Sequence, residues 1–386
     1  SGGHRPIAKL RSPDKAGARH IDSESVTYLF LHNLRRTKAR ATLLIAVLAL
    51  VVGCARKEKE RVYAWEEDLI EADLEQDREN LEAAEDSYQS LLESAPDQER
   101  RREITNELGR LDEKRERFEE ALEHYEEVWS EDEFADEQGG RALYRTALIH
   151  LREFDDAERG VSLFERTIDR YPESIYAEFA LERLADHHAE RGQFDTLEES
   201  FMSMYDDHSE ELVAANILFE LAETLADEAD DPDAALPYYR RVHQDHDTLI
   251  GLSDDALWEE ARIYHRRQMW DEAIPLYEEL SEKQQPSWFI GSYDSYLADD
   301  ARLELGRIHM LFLDDYETAI EHFEQYLKDF PDTVLVDDAA WHIVQAHRLM
   351  GDTDGYKEQL EAFAEDYPES RYQRQIDTLL EAEASR

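Results

Sequence analysis

The chain has 386 residues, and its 93 acidic and 43 basic side chains give a formal net charge of −50. That charge argues against a nucleic-acid partner, because phosphate binding requires a basic protein surface. Hydrophobic residues make up 41% of the chain, enough to form a buried core, whereas glycine and proline are too scarce for a turn-rich all-β fold. The single cysteine, Cys54, excludes an internal disulfide and any metal site made from several cysteines.

Only the start of the chain has a positive net charge. Residues 1–53 carry a net charge of +6, and the remainder carries −56. A cluster of four basic residues precedes thirteen uncharged residues that end at Gly53. This order is typical of a secretory signal peptide, and the uncharged run is shorter than the ~20 residues that span a bilayer as a helix. We therefore predict a signal peptide over residues 35–53, after an unstructured or spurious extension over residues 1–34.

The residues around the cysteine, Val51-Val52-Gly53-Cys54, resemble the lipobox of bacterial lipoproteins. In that family the cysteine thiol takes a diacylglyceryl group, and its amine is exposed by cleavage and usually acylated. The resemblance implies that Cys54 is lipidated and that residues 54–60 form a lipidated linker, since two or three acyl chains anchor a protein stably. The residue after the cysteine is Ala55 and not an aspartate. This resembles the sorting signal of lipoproteins that are directed to the outer membrane, and it implies an anchor on the periplasmic face of that membrane. An inner-membrane anchor and an uncleaved signal anchor are the alternatives.

The rest of the chain contains a repeated pattern of small residues. They occur in pairs about 12 residues apart, and the second members of the pairs follow one another at 37 to 39 residues, with one spacing of 46. The first members are Ala72, Gly109, Ala147, Ala185, Ala222, Ala261, Gly306 and Ala346. The second members are Ala84, Ala121, Gly160, Leu197, Ala235, Ala273, Ala319 and Tyr356. Most second members are followed four positions later by an aromatic residue, on the same helix face.

Each pair predicts a hairpin of two closely packed helices. One hairpin cannot cover its own apolar face, so copies stack; a plain helical bundle, the alternative, does not repeat at a fixed period. The pattern resembles the tetratricopeptide repeat (TPR), most closely at residues 305–323. The resemblance implies an all-α, TPR-like solenoid of about eight helical hairpins over residues 61–370 and a C-terminal capping helix over residues 371–386. Leu197 and Tyr356 depart from the small-residue rule, so we expect splayed hairpins at these positions.

The turns between repeats point to a subfamily. Three of them share an aromatic residue, a proline and a hydroxyl residue: Tyr171-Pro-Glu-Ser174, Phe330-Pro-Asp-Thr333 and Tyr367-Pro-Glu-Ser370. The proline ends one helix, and the hydroxyl residue can cap the next. Behind a lipobox, such turns resemble the periplasmic lipoproteins of the BamD/YfiO type, and the YbgF (CpoB) proteins share the turn. The resemblance implies a membrane-anchored scaffold that binds protein partners in outer-membrane protein assembly. An adaptor for Tol-Pal or peptidoglycan coordination is the alternative.

No catalytic motif is present in the sequence. It has no Gly-rich phosphate-binding loop, no His-Glu-x-x-His motif and no serine-nucleophile motif. The histidines lack the spacing that a metal site needs. We therefore predict that the protein is not an enzyme and that it binds no cofactor, metal or nucleic acid.

Two groups of basic and aromatic residues are candidates for partner binding. In the tetratricopeptide family the first helix of each hairpin lines a concave groove. That family geometry places Arg141, Tyr144 and Arg152 in the groove. It does the same for Trp258, Arg262, His265, Arg266 and Arg307. Such a groove would select an acidic segment or a C-terminal carboxylate, since Arg–carboxylate contacts are strong and oriented. Alternatively, these arginines pair with carboxylates on adjacent repeats.

The 46-residue spacing marks an insertion in the array. The extra residues concentrate four aromatic side chains, namely Trp288, Phe289, Tyr293 and Tyr296. Insertions in repeat arrays form loops, often on a functional face, and exposed aromatic side chains indicate an interface. The alternative is that these side chains pack back under the neighbouring helices. An insertion that stacked sugars would instead favour a surface glycan-binding lipoprotein resembling the SusD type.

Overall fold

The computed structural model is helical apart from one short β-hairpin. It describes Trp65, Leu69, Ala72, Asp73 and residues 80–130, 136–247, 249–287, 291–294 and 297–384. The chain divides into two units, with the boundary between Gln98 and Glu99. The predicted extension, signal peptide, lipidation site Cys54 and linker lie outside the described residues. No helix in the described part of the chain combines the length and the apolar character needed to cross a membrane.

The first unit contains helix α1 (Leu81–Ser94). Its buried face carries Ala84 and Tyr88, four residues apart. The Tyr88 hydroxyl donates a hydrogen bond of 2.6 Å to the carboxylate of Asp73. The Trp65 indole donates to the Leu91 carbonyl at 3.2 Å. These contacts join α1 to the residues of the first predicted helix that the structure describes.

The second unit follows the predicted order of helical hairpins. The first helices of successive hairpins are α2 (Gln98–Lys114), α4 (Glu137–Arg152), α6 (Ile175–Ala189), α8 (Val213–Glu223), α10 (Ile250–Arg266), α12 (Ala298–Leu311) and α14 (Val336–Met350). The second helices are α3 (Phe118–Trp129), α5 (Ala157–Arg170), α7 (Phe194–His208), α9 (Pro232–Asp245), α11 (Trp270–Glu282), α13 (Tyr316–Asp329) and α15 (Thr353–Asp366). Helix α8 continues as a π-helix over Thr224–Glu228, and α16 (Gln373–Ala384) follows α15.

The small residues lie where the helices of a hairpin meet, so the predicted all-α repeat fold is confirmed. The alanines at these positions in the second unit are at most 2% exposed. The aromatic residues four positions after the second small residue are buried to the same degree: Tyr125, Phe164, Phe201, Tyr239, Tyr277 and Phe323. At Gly109 the fit requires glycine, because a Cβ there would lie 2.7 Å from a ring carbon of Tyr125.

The size of the residue at the small position controls how closely a hairpin closes. At Gly160 the backbone of α5 lies against Ala147 and Leu151 of α4, and a Cβ would lie 3.2 Å from the Ala147 carbonyl. At the equivalent position of α7, Leu197 is fully buried, and α6 and α7 approach each other less closely than α4 and α5 do. The prediction of a splayed hairpin is therefore confirmed at Leu197.

The turns between repeats use their hydroxyl residues in two ways. Ser174 caps α6 as predicted, accepting a hydrogen bond of 3.1 Å from the Tyr176 amide. Thr333 does not cap a helix. Its hydroxyl lies 2.7 Å from the Tyr326 hydroxyl and 3.2 Å from the Phe330 carbonyl. It therefore ties the turn to the preceding helix.

The insertion is a β-hairpin where we predicted a loop. Strand β1 (Gln284–Ser287) pairs antiparallel with β2 (Gly291–Asp294). Tyr293 lies in β2, opposite Gln285, whereas Trp288, Phe289 and Tyr296 lie outside the described residues. The residue before β1, Lys283, is anchored to the start of α10, because its amino group lies 2.6 Å from the buried Asp254 carboxylate.

Candidate protein-interaction groove

A pocket of about 510 Å³ lies where α2, α4 and α6 come together, on the first helices of three successive repeats. We call it the Arg–aromatic pocket. It is lined by Arg110 of α2, by Arg141, Tyr144, Arg145, Leu148 and Arg152 of α4, and by Tyr176, Phe179, Glu182 and Arg183 of α6. The pocket lining thus contains five arginines, three aromatic rings and a single carboxylate. The structure brings together the three pocket residues that we predicted on α4.

Helix periodicity explains why these residues share a face. The five pocket residues of α4 lie six, three and two positions before Ala147, and one and five positions after it. Such offsets follow one stripe of an α-helix, while Ala147 itself is buried against the second helix of its hairpin. Phe179, Glu182 and Arg183 have the same offsets before Ala185 in the next repeat. Stacking the repeats places the stripes side by side.

The floor of the Arg–aromatic pocket is an aromatic cluster. The ring centroids of Tyr144, Tyr176 and Phe179 lie 5.7 to 6.0 Å from one another, within the range of favourable ring contacts. Tyr144 is buried, whereas Phe179 is 39% exposed. Burial raises the pKa of Tyr176 above its ordinary value, so its hydroxyl stays neutral. The floor can accept an apolar or aromatic side chain of a partner.

Two of the pocket arginines are tied to the preceding repeat. Arg141 contacts the Glu107 carboxylate at 2.7 Å, and Arg145 donates from Nε to Glu113 at 2.9 Å and from a second nitrogen to the other oxygen. Burial disfavours the charged form of Arg145, but its hydrogen bond to Glu113 and the nearby charges raise its pKa above the usual value. For Arg141 the alternative of internal pairing is therefore correct, and Arg145, which we did not predict, is paired in the same way. They join α4 to α2 and give the pocket rim a fixed shape.

The other three arginines remain available to a partner. Arg152 is exposed and has no hydrogen-bond or ion-pair partner among the described residues. Arg110 pairs with Glu107 at 2.7 Å on its own helix. Arg183 pairs with Glu182 and Asp186, also on its own helix. The carboxylates that pair with Arg183 are exposed, and surface pairs contribute only ~0–1 kcal/mol, so a partner carboxylate can replace them.

The predicted aromatic residues of the second group belong to the core of a later repeat. Trp258 packs edge-on against the buried ring of Tyr277, with centroids 5.4 Å apart. His265 packs against Tyr277 and Trp270. Both side chains are half-buried, so they mainly support the hairpin of α10 and α11.

The predicted arginines of the second group lie beside carboxylates. Arg262 pairs with Glu259 on its own helix, and Arg307 pairs with Glu304 at 2.6 Å. Arg266 is exposed near the end of α10. Because each of the two paired arginines has a carboxylate three positions before it, this part of the groove lacks the excess of arginines found in the Arg–aromatic pocket.

Carboxylates line the groove between the two groups. Glu220 and Glu223 lie at the groove positions of α8, two before and one after Ala222. Burial, together with the nearby carboxylates, raises the pKa of Glu220 to about 7. Burial and the neighbours Asp254 and Glu259 raise the pKa of Asp255 to about 6. At these groove positions the chain therefore presents carboxylates and not arginines.

Seven residues of the Arg–aromatic pocket were not predicted from the sequence. They are Arg110, Arg145, Leu148, Tyr176, Phe179, Glu182 and Arg183. Part of the signal was present in the sequence, since applying the offsets used at Ala147 to Ala185 identifies Phe179 and Glu182. Among the described residues, no group of three or more His, Cys, Asp or Glu side chains is arranged to hold a metal ion.

Family models agree with the repeat geometry. A model of the tetratricopeptide repeat matches residues 141–174, 300–333 and 338–370, and a second tetratricopeptide-repeat model matches residues 261–287. The chain contains tetratricopeptide repeats. The first matched segment covers most of α4 and all of α5, and therefore includes the centre of the Arg–aromatic pocket.

Solved structures with similar folds include three repeat or signalling proteins. PilW, a type IV pilus biogenesis factor, is 16% identical, with coverage of 62% of this chain and 99% of its own and a TM-score of 0.36. A tetratricopeptide repeat protein from Parabacteroides merdae is 13% identical, with coverage of 73% and 99% and a TM-score of 0.31. The apo quorum sensor NprR from B. thuringiensis is 12% identical, with coverage of 84% and 80% and a TM-score of 0.36. No curated protein matches the sequence.

Proposed function

We propose that this protein is a non-enzymatic scaffold that holds an acidic segment of a protein partner in the Arg–aromatic pocket. Tetratricopeptide repeats are generally non-catalytic platforms for protein interaction. The observation that carries the proposal is the concentration of five arginines and three aromatic rings in one pocket of a strongly acidic chain.

Charge gives this pocket its selectivity. The repeat region carries most of a net charge of −56, so an acidic segment is repelled from most of the surface. It is attracted where the arginines cluster, and long-range attraction of this kind speeds association and suppresses wrong partners. Guanidinium groups bind carboxylates through two parallel hydrogen bonds, which also orients the segment.

The aromatic floor specifies a second property of the partner. Phe179 is exposed beside Tyr176 at the bottom of the pocket. An apolar side chain buried there would contribute more binding energy than a rim contact, because anchors in desolvated pockets dominate interfaces. The segment that fits has an apolar or aromatic residue next to carboxylates, either within a chain or at a C-terminus.

We further propose that lipid at Cys54 anchors the scaffold to the periplasmic face of the outer membrane. The support is the order of basic cluster, apolar run and lone cysteine in the sequence. Metabolic labelling with a fatty-acid analogue tests this, with Cys54→Ala as the variant. We expect the substitution to abolish labelling and to release the protein from membranes. Unchanged labelling and fractionation of the variant would rule out the anchor.

Site-specific photo-crosslinking in cells tests the scaffold itself. A photo-reactive amino acid at Phe179 projects into the pocket. The control position is the exposed Arg159 on α5, the second helix of the hairpin that contains α4, and it is not part of the pocket lining. We expect position 179 to capture envelope proteins through acidic segments, and position 159 to capture none of them. The captured partners distinguish outer-membrane protein assembly from Tol-Pal or peptidoglycan coordination. If position 179 captures no envelope protein, the scaffold proposal fails.

A further inference from the structure

Apolar side chains are exposed at the hairpin turns of the last three repeats. These residues are Met269, Leu311, Phe312, Leu313, Leu349 and Met350, and each is more than a third exposed. We call this set the apolar turn edge. Single exposed apolar residues are common on protein surfaces, but a cluster at successive turns indicates an interaction surface.

Turn geometry does not require these apolar residues. Five turns between the two helices of a hairpin contain one non-glycine residue with φ between 51° and 58°, namely Glu116, Asp155, Asp230, Gln268 and Asp314. The turns therefore share a backbone conformation. In the earlier repeats the adjoining residues are mostly charged or polar, as in Arg115-Glu116-Arg117. The apolar side chains of the later turns are thus not needed to form the turn.

Phe312 connects its turn to the preceding repeat. Phe312, in the turn between α12 and α13, has its ring centroid 4.7 Å from that of Trp270 at the start of α11. It also packs edge-on against His265 of α10. Leu349 and Met350 are the last two residues of α14, directly before the equivalent turn to α15. Equivalent turns of stacked repeats follow one edge of the array, so the three turns form a strip.

The charge around the strip indicates what kind of partner can cover it. The three turns and their adjoining helix ends, residues 265–272, 309–317 and 347–354, hold seven carboxylates and three arginines, for a net charge of −4. One of the arginines, Arg267, pairs with Asp233 of the preceding repeat. A bilayer of anionic lipids and the same edge of a second copy would both be repelled by this charge. A partner with cationic side chains would be attracted.

We propose that the apolar turn edge binds an amphipathic, basic helix of a protein partner. The apolar face of that helix would cover Leu311 and Leu349, and its lysine or arginine side chains would pair with the carboxylates that flank the turns. The Arg–aromatic pocket selects the opposite charge, so this edge is a second and independent docking surface. It goes beyond the scaffold function proposed above.

A binding experiment with the full chain and a designed probe tests this surface. The probe is a fluorescein-labelled helical peptide of leucine and lysine, and its affinity is measured by fluorescence anisotropy. The variant is the double substitution Leu311→Ser and Leu349→Ser. The matched control is Leu212→Ser, because Leu212 is 59% exposed, against 55% for Leu311 and 54% for Leu349, and lies at a turn between repeats.

We expect the double variant to bind the probe about tenfold more weakly and Leu212→Ser to bind it within about twofold of the parent. The double substitution Glu272→Lys and Asp354→Lys is expected to weaken binding of the leucine–lysine peptide and to strengthen binding of a leucine–glutamate peptide. These substitutions are on the surface, and a thermal unfolding measurement confirms that each variant is folded.

Three results would overturn the proposal. In the first, the double variant and Leu212→Ser bind the probe equally. In the second, phosphatidylcholine vesicles recover the full chain by flotation and the double variant loses this recovery, which would assign the edge to a bilayer. In the third, sedimentation shows a dimer that the double variant cannot form, which would assign the edge to a second copy.

Discussion

At the scale of single residues, the first-helix glycines match the aromatic rings of the second helices. Gly109 faces Tyr125, whose ring is almost fully buried. That ring cannot move away easily, because the Tyr125 hydroxyl donates a hydrogen bond to Glu113, which also binds Arg145. The pair therefore tolerates no added atom on the helix that faces the ring.

We predict that Gly109→Ala destabilises the protein. Its Cβ would lie 2.7 Å from Tyr125, and overpacking of this kind costs ~1–3 kcal/mol. The higher helix propensity of alanine recovers up to ~1 kcal/mol. Gly251→Ala is the matched control, since a Cβ on Gly251 in α10 would have no atom within 4 Å. Urea unfolding should show a lower midpoint for Gly109→Ala than for Gly251→Ala, and equal midpoints would contradict the close fit.

The half-buried carboxyl of Glu220 makes stability depend on pH. Burial, aided by Glu223, Glu182 and Asp186, raises its pKa from 4.5 to about 7. A raised pKa means that the folded state holds a proton which the unfolded state releases. The stabilising effect of that proton is therefore full below about pH 4.5 and is lost as the pH rises to about 7.

We predict that Glu220→Gln raises the free energy of unfolding at about pH 8, by an amount on the order of 1–3 kcal/mol, and leaves it nearly unchanged at about pH 4.5. The exposed Glu228 of the adjoining π-helix provides the control Glu228→Gln. Thermal unfolding at both pH values measures the difference. A gain that is equal at both pH values would show that the charge of Glu220 is not the cause.

The sequence predicted which side chains are buried better than it predicted which hydrogen bonds the turn hydroxyl groups make. The small positions and their aromatic partners follow from helix periodicity, and the structure confirms them. Thr333 was expected to cap a helix like Ser174, but its hydroxyl bonds backwards to Tyr326 and Phe330. A hydroxyl group can satisfy several neighbours, so its choice depends on the local backbone, which the pattern does not specify.

At the scale of secondary-structure elements, aspartate starts four of the second helices. Asp156, Asp231, Asp315 and Asp352 each accept a hydrogen bond from the amide three residues later. Three of these carboxylates also contact a histidine near the end of the preceding helix, at 3.9 Å for His150, 3.3 Å for His309 and 2.9 Å for His347. The cap therefore also connects the two helices of the hairpin.

We predict that the cap contributes more than the histidine contact. Asp352→Ala removes both and should lower stability by ~1 kcal/mol, whereas Asp352→Asn keeps a good cap and should lower it by less. Hydrogen exchange of the first amides of α15 reports the local effect, and urea unfolding reports the global one. If the asparagine variant loses as much as the alanine variant, the contact with His347 is the larger contribution.

The insertion shows what repeat periodicity cannot predict about an element. The 46-residue spacing located the extra length, but residues 284–294 have no alternation of apolar and polar side chains. Pro286 lies in β1, although proline lacks an amide to donate to a neighbouring strand. Pairing between β1 and β2 is set by backbone hydrogen bonding between two short segments. Because this pairing leaves no pattern in the side chains, the sequence predicted a loop.

At the scale of the whole molecule, the net charge of −50 is a sum of regions with different signs. The Arg–aromatic pocket concentrates five arginines, the groove beyond it presents carboxylates, and the apolar turn edge carries a net charge of −4. The two proposed docking surfaces therefore select partners of opposite charge. The sequence predicted Arg141, Tyr144 and Arg152 from one repeat, whereas most of the other pocket residues lie on α2 and α6 of the neighbouring repeats.

The binding of an acidic peptide to the purified chain tests the role of the Arg–aromatic pocket most directly. The probe is a labelled peptide with one phenylalanine between glutamates, and the variants are Arg152→Glu in the pocket and Arg159→Glu on α5 of the same repeat. We predict that Arg152→Glu weakens binding about tenfold and that Arg159→Glu changes it less than about twofold. Equal weakening by the two substitutions would contradict the account, because it would show that the peptide senses net charge and not the pocket.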